Sequence, residues 1–88
     1  MANHVSAEKR NRQRIIRTER NKAVRTRIRH ALKAARAAIE AGDAEAAKEP
    51  VRKASVALAK AVSQGVLHQK TASRSTSRIQ GALAKISA

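Results

Sequence analysis

The chain is 88 residues long, with 20 Lys and Arg against 6 Asp and Glu, a formal net charge of +14, and no Phe, Tyr, Trp or Cys. That balance excludes most enzymes of this size, and the absence of cysteine excludes disulfide scaffolds, cysteine-ligated zinc and thiol catalysis. Of the apolar residues 20 are Ala and only 16 are Val, Ile or Leu, a composition near that of disordered chains, countered by the helix-forming strength of alanine.

The punctuation predicts three helices, at about residues 7–41, 44–64 and 69–86, and no alternation is long enough for a strand. In the first, Val24, Ile28, Ala31, Leu32, Ala35 and Ile39 fall on one face at 100° steps, beside a stripe of Lys22, Arg25, Arg29, Lys33 and Arg36. Upstream, Lys9, Arg10, Arg12, Arg14, Arg17 and Arg20 surround the whole circumference, and Ile15 and Ile16 do not continue the apolar face. A segment that is polar all round has no side to bury. The expected fold is therefore all-α, a three-helix bundle over residues 24–88 with residues 1–23 extending beyond it as a basic arm.

Ala41-Gly42-Asp43 reads as a helix stop followed by a cap, the glycine suited to the left-handed position and the aspartate to the next N-terminus. Pro50 predicts a kink or a restart in the second helix. A restart there would align Val51, Ala54, Ser55, Leu58 and Val62 as the packing stripe, with Glu49 four residues before Lys53 as a favourable ion pair. Gly65 is a second stop. In the third helix Ala72, Ile79, Leu83 and Ile86 form the packing stripe, and Lys70, Arg74 and Arg78 form a cationic row at four-residue spacing. Gly81, costly in a helix by about 1 kcal/mol, predicts close helix packing ahead of direct approach to a ligand backbone.

Charge is distributed unevenly along the chain. Residues 1–36 hold 12 basic and 2 acidic residues, residues 37–64 hold 4 of each, and residues 65–88 hold 4 basic and none acidic. Two cationic ends and a neutral middle predict a bundle that packs on itself and ends that face a polyanion. Arg10, Arg14, Arg17, Arg20, Arg25, Arg29, Arg74 and Arg78 are the cations expected on phosphates, and Arg outnumbers Lys by 12 to 8, which favours bidentate contacts. With no aromatic side chain, stacking of single-stranded bases on Phe or Tyr is excluded, so binding goes through backbone, groove and shape. Structured RNA suits that chemistry; a histone-like protein that compacts DNA is the alternative on charge alone.

Other functions fit poorly. No apolar run approaches the roughly 18 residues that span a bilayer, the basic arm lacks the Trp, Phe or Leu face of an interfacial helix, and Met1 to Ser6 contains no signal-peptide core. No membrane partner is expected, and the compartment expected is the cytoplasm. His4, His30 and His68 are too widely spaced for a metal site. Glu40, Asp43, Glu45 and Glu49 gather at the first interhelical connection, where capping and dipole complementation explain them. No catalytic residue, metal, cofactor or small-molecule substrate is expected.

Beyond these readings, the residues resemble the bacterial small-subunit (30S) ribosomal protein twenty family from end to end. The opening Met-Ala-Asn-x-x-Ser-Ala-x-Lys-Arg stands at Met1 to Arg10, Arg-Asn at Arg20-Asn21, and the turn Ala-Ile-Glu-Ala-Gly-Asp at Ala38 to Asp43. The pattern Gly-x-x-His-x-x-Thr-Ala-x-Arg-x-x-Ser-Arg stands at Gly65, His68, Thr71, Ala72, Arg74, Ser77 and Arg78. The resemblance implies a structural, ribosome-bound protein that binds 16S rRNA directly in early assembly, with neighbouring ribosomal proteins open as further partners. It places RNA contact at Asn3, Ser6, Lys9, Arg10, Arg20, Asn21, His68, Arg74 and Arg78, which join Arg14, Arg17, Lys22, Arg25, Arg29 and Lys70 from the charge pattern. The chain departs from the family at Val5, Glu8, Gln69-Lys70 and Ser75-Thr76, which implies fewer phosphate contacts along the third helix.

Overall fold

The computed structural model describes the backbone of residues 2–87 and the side chains of residues 5–87. Its three helices are α1 (Ala2–Glu40), α2 (Ala44–Ser63) and α3 (Gln69–Ser87), with no strand among the described residues. α1 starts earlier than its apolar pattern begins, because nothing in residues 2–6 is a glycine or proline that would break it.

The connections follow the cap chemistry. Gly42 and Gly65 both have positive φ, 81° and 74°, which a side chain would oppose. After α2 the amide of Gly65 donates to the carbonyl of Val62 (3.0 Å) and that of Val66 to Ala61 (2.9 Å). This double closure satisfies the last carbonyls and turns Val66 into the core. Asp43 Oδ1 accepts from the amides of Glu45 (3.1 Å) and Ala46 (3.2 Å), capping α2.

Two apolar clusters lie one above the other along the bundle. One joins Val24 and Ile28 with Leu58, Ala61, Val66 and Ala72. The other joins Ala35 with Val51, Ala54 and Ile79, and Leu32 packs against both. The pairing sets the directions: α1 and α3 run parallel and α2 returns between them. Ala35, Ala47 and Ala61 have no exposed surface, so the helices approach closely where alanines meet, and a core forms although Val5, Ile15, Ile16 and Val56 stay exposed.

Four local expectations change. α2 is one helix from Ala44 through Pro50 to Ser63, with no restart. The carbonyl deprived of a partner by Pro50 belongs to Ala46, an exposed residue on which water can replace the lost bond. In the α2 stripe Ala47 and Ala61 are buried, while Ser55 and Val62 are half-buried. Gly81 is exposed, and a Cβ built on it meets nothing within 4 Å, so close helix packing does not explain it. Glu49 pairs with Arg52 at 2.6 Å, not with Lys53; three residues bring the guanidinium fork onto both carboxylate oxygens.

The molecule measures 66 × 20 × 13 Å. α1 alone, at 39 residues, spans about 58 Å, twice the length of either partner, and residues 5–20 are all exposed.

Candidate nucleic-acid interface

The projecting part of α1 carries Ser6, Lys9, Arg10, Arg14, Arg17 and Arg20, every one exposed. The side chain of Asn3 lies outside the described residues. Arg14 donates to Asn11 Oδ1 at 3.1 Å, which steadies one guanidinium at the surface and leaves its other donors outward. No helix packs on this segment, so its cations are displayed in all directions along roughly 24 Å of rod.

Where α1 enters the bundle, Asn21, Lys22, Arg25 and Arg29 gather with Thr18 and Thr26 around a shallow hollow on the outer side of the helix. Lys22, Arg25 and Arg29 are exposed. Thr26 spends its hydroxyl on the Lys22 carbonyl (2.9 Å). Asn21 Oδ1 is shielded from solvent and accepts no hydrogen bond.

On α3 the row of Lys70, Arg74 and Arg78 is exposed as the spacing predicts. Arg78 and Arg36 line the same cleft between α1 and α3, with Glu40, Ser75 and Ala82. Arg36 and Arg78, 42 residues apart in sequence, thus bring one end of each basic row to the same cleft, beside the Glu40 carboxyl. His68 also serves structure: its Nδ1 accepts from the Lys70 amide at 3.1 Å and its carbonyl from the Ala72 amide at 3.1 Å, so it caps α3. With Nδ1 accepting, the neutral ring carries its proton on Nε2, an outward donor. Gly81 lies on the outward side of α3 between Arg74, Arg78 and Lys85, as 100° steps require.

Four of the six acids gather at one end, and the other two, Glu8 and Glu19, lie among the cations of the arm. Glu40, Asp43, Glu45 and Glu49 sit at the α1–α2 connection, the end of the bundle opposite the arm, and Lys48 pairs with Glu45 at 2.9 Å. The Arg52 guanidinium, hydrogen-bonded to Glu49, holds that carboxyl below its ordinary range, and the same contact raises Arg52. The rod is therefore electrically polar along its length, acidic at one tip and densely cationic at the other.

One basic surface was not evident from the sequence. Arg27 of α1 and Arg52, Lys53 and Lys60 of α2 line a cleft floored by Val24, Ile28, Val56 and Ala57. Division by chain position makes residues 37–64 neutral, because acids and bases are summed along the chain. In space the acids lie at the turn and the bases along the cleft. The repeat Arg52, Val56, Lys60 on one face of α2 was the available signal.

Among the described residues there is no cluster of His, Asp or Glu that could hold a metal ion, and no helix is long and apolar enough to cross a membrane.

Comparison with known proteins gives a consistent result. The family model described as ribosomal protein S20 matches residues 2–84. Among curated relatives, a protein of Anaeromyxobacter sp. is 51% identical over 88 residues, covering 100% of this chain and 98% of that protein. One of Helicobacter acinonychis is 49% identical over 86 residues (98% and 97%). One of Wolinella succinogenes is 48% identical over 88 residues (100% and 97%). Each is named small ribosomal subunit protein bS20.

Proposed function

Since the chain belongs to the ribosomal protein S20 family, we propose that it is a non-enzymatic structural protein of the bacterial small ribosomal subunit that binds 16S rRNA directly. It acts in the cytoplasm, bound to the ribosome, beside neighbouring ribosomal proteins. The observation that supports this most strongly is the exposed surface running from the arm along the outer edge of α1 to α3, where cations far outnumber the acids Glu8, Glu19 and Glu40. The family carries the choice of RNA over DNA, and the charge carries the mechanism.

The arm of residues 1–23 is the first binding unit. It enters where phosphate-lined RNA segments crowd together, and its side chains neutralise strands on several sides at once. Each phosphate neutralised releases counterions, which supplies affinity and makes it fall steeply with salt. Asn3, Ser6, Lys9, Arg10, Arg14, Arg17 and Arg20 act here. The bundle of residues 24–88 sets the direction of the arm and presents the second unit: Asn21, Lys22, Arg25 and Arg29 from α1, and His68, Lys70, Arg74 and Arg78 from α3. The acidic tip faces away from RNA, because like-charge repulsion opposes the reverse placement.

Replacing Arg74 and Arg78 together by Ala tests this reading. Binding to a small-subunit rRNA transcript weakens about tenfold or more, and the slope of log affinity against log salt falls by about 1.5. Both side chains are exposed, so helix content by circular dichroism stays the same. Unchanged affinity and slope would overturn the assignment of α3 to the interface.

A further inference from the structure

We propose that the cleft between α1 and α2 receives a single unstacked nucleotide of the bound RNA, its base on the aliphatic floor and its flanking phosphates on the cationic rim. The proposal rests on the ribosomal RNA reading above and adds a ligand for a surface which that reading does not use.

The cleft holds about 260 Å³. That is just under the roughly 300 Å³ at which ligand pockets begin, room for a nucleobase with part of its sugar in a cleft that opens to solvent. Val24 and Ile28 form its base and Ala57 its wall, while Val56, 40% exposed, forms an open lip. Val24 and Ile28 belong to the packed core and show little surface, so the apolar area open to a base is chiefly that of Val56 and Ala57. A membrane-seeking surface would need a larger apolar area than these four residues offer.

The rim supplies the other half of the match. Arg27 comes from α1 and Lys53 and Lys60 from α2, and no acid lines the cleft. Arg52 is occupied by Glu49 through two hydrogen bonds. Arg27, Lys53 and Lys60 make no hydrogen bond or close ion pair among the described residues. Lys53 lies near enough to Glu49 to help lower its carboxyl, Lys60 is left for phosphate, and the Arg27 guanidinium is left for the base. Gln64 stands at one end as the last residue capping α2. Its amide, which offers both a donor and an acceptor, suits the edge of a base.

A regular duplex presents its phosphates outward and its bases edge-on, so it cannot set a base flat in a concave site. RNA loops and bulges turn bases out of the stack, and proteins seat them on aromatic rings or on guanidinium planes. This chain has no aromatic residue. The aliphatic floor and the Arg27 plane take that place, at the α2–α3 end of the bundle from which the arm departs.

Three full-length proteins decide it: wild type, Lys53→Gln with Lys60→Gln, and Val56→Ser, each titrated into the rRNA body-domain transcript across a salt series. The double variant is expected to lower affinity about tenfold and the salt slope by about 1.5. Val56→Ser, which changes no charge, is expected to lower affinity about fivefold with the slope unchanged. Circular dichroism melts confirm that both variants remain helical. If the double variant binds like wild type, the cleft is not in the interface and the proposal fails. If the double variant weakens binding but Val56→Ser does not, the rim meets backbone phosphates only and the seated base is refuted. Failure of the wild-type protein to bind the transcript would instead overturn the ribosomal RNA reading itself.

Discussion

Residues 5–23 and residues 24–40 of α1 form one uninterrupted helix in two different surroundings. The second stretch buries Val24, Ile28 and Ala35 against α2 and α3; in the first, residues 5–20 are all exposed, including Val5 at 66% and Ile16 at 67%. Both stretches contain branched aliphatics and both are rich in arginine. What separates them is register. Apolar residues three, four and seven apart make a face that docks, whereas Ile15 and Ile16 as direct neighbours point about 100° apart and make none. One helix therefore serves as a packed member of a bundle at one end and as a charged rod at the other.

The largest effect expected of that contrast concerns stability. Leu58→Ala removes the largest fully buried side chain, at 1% exposure, and is expected to cost about 3 kcal/mol, enough to unfold much of a domain with so few large aliphatics. Ile16→Ala, in the rod, is expected to leave the thermal midpoint within about 1 °C of wild type. Equal losses in the two melts would break the comparison.

Charge removal inverts the pattern. Replacing Arg10, Arg14, Arg17 and Arg20 by Gln is expected to lower rRNA affinity by roughly 100-fold and the salt slope by about 3, with no loss of thermal stability. A fall in thermal midpoint would mean that the rod supports the bundle.

Gly81→Ala sharpens the picture on α3. The site is open, so alanine is expected to raise stability by about 1 kcal/mol through helix propensity alone, measured by urea denaturation. Loss of stability would show that the helix depends on the bare backbone there.

The smallest effect concerns Glu49, whose carboxyl is held low by the Arg52 hydrogen bond. Its contribution is present above the ordinary glutamate range and is lost as pH falls through the lowered value. Because the pair is exposed, its weight is slight. Melts of wild type and Glu49→Gln between pH 6 and pH 3 are expected to differ by about 1 °C at the upper end and to converge at the lower. A gap that widens on acidification would contradict the pairing.

Much of this architecture was legible in the residues. Gly42, Asp43 and Gly65 marked both connections, since positive φ and side-chain capping are local needs met by few residue types. The packing faces of α1 and α3 followed from spacing, and so did the exposed basic rows. The restart expected as one outcome at Pro50 does not occur, because the cost of a helical proline depends on what becomes of the carbonyl at Ala46, which only the folded surface decides. Gly81 misled for a similar reason: a glycine against a neighbouring helix and one facing solvent are identical in sequence. The cleft of Arg27, Lys53 and Lys60 was out of reach of any sum along the chain, because two helices and a turn are needed to bring those residues together.

The central claim is that exposed cations on a shaped scaffold recognise folded ribosomal RNA and not merely negative charge. Its most direct test is filter binding of the intact protein to a small-subunit rRNA body-domain transcript across a salt series, with excess tRNA and duplex DNA as competitors. Binding that persists against both, with a steep salt slope, is the predicted result. Displacement by either at concentrations similar to the transcript itself would contradict it and leave a generic polycation, as a DNA-compacting protein would be.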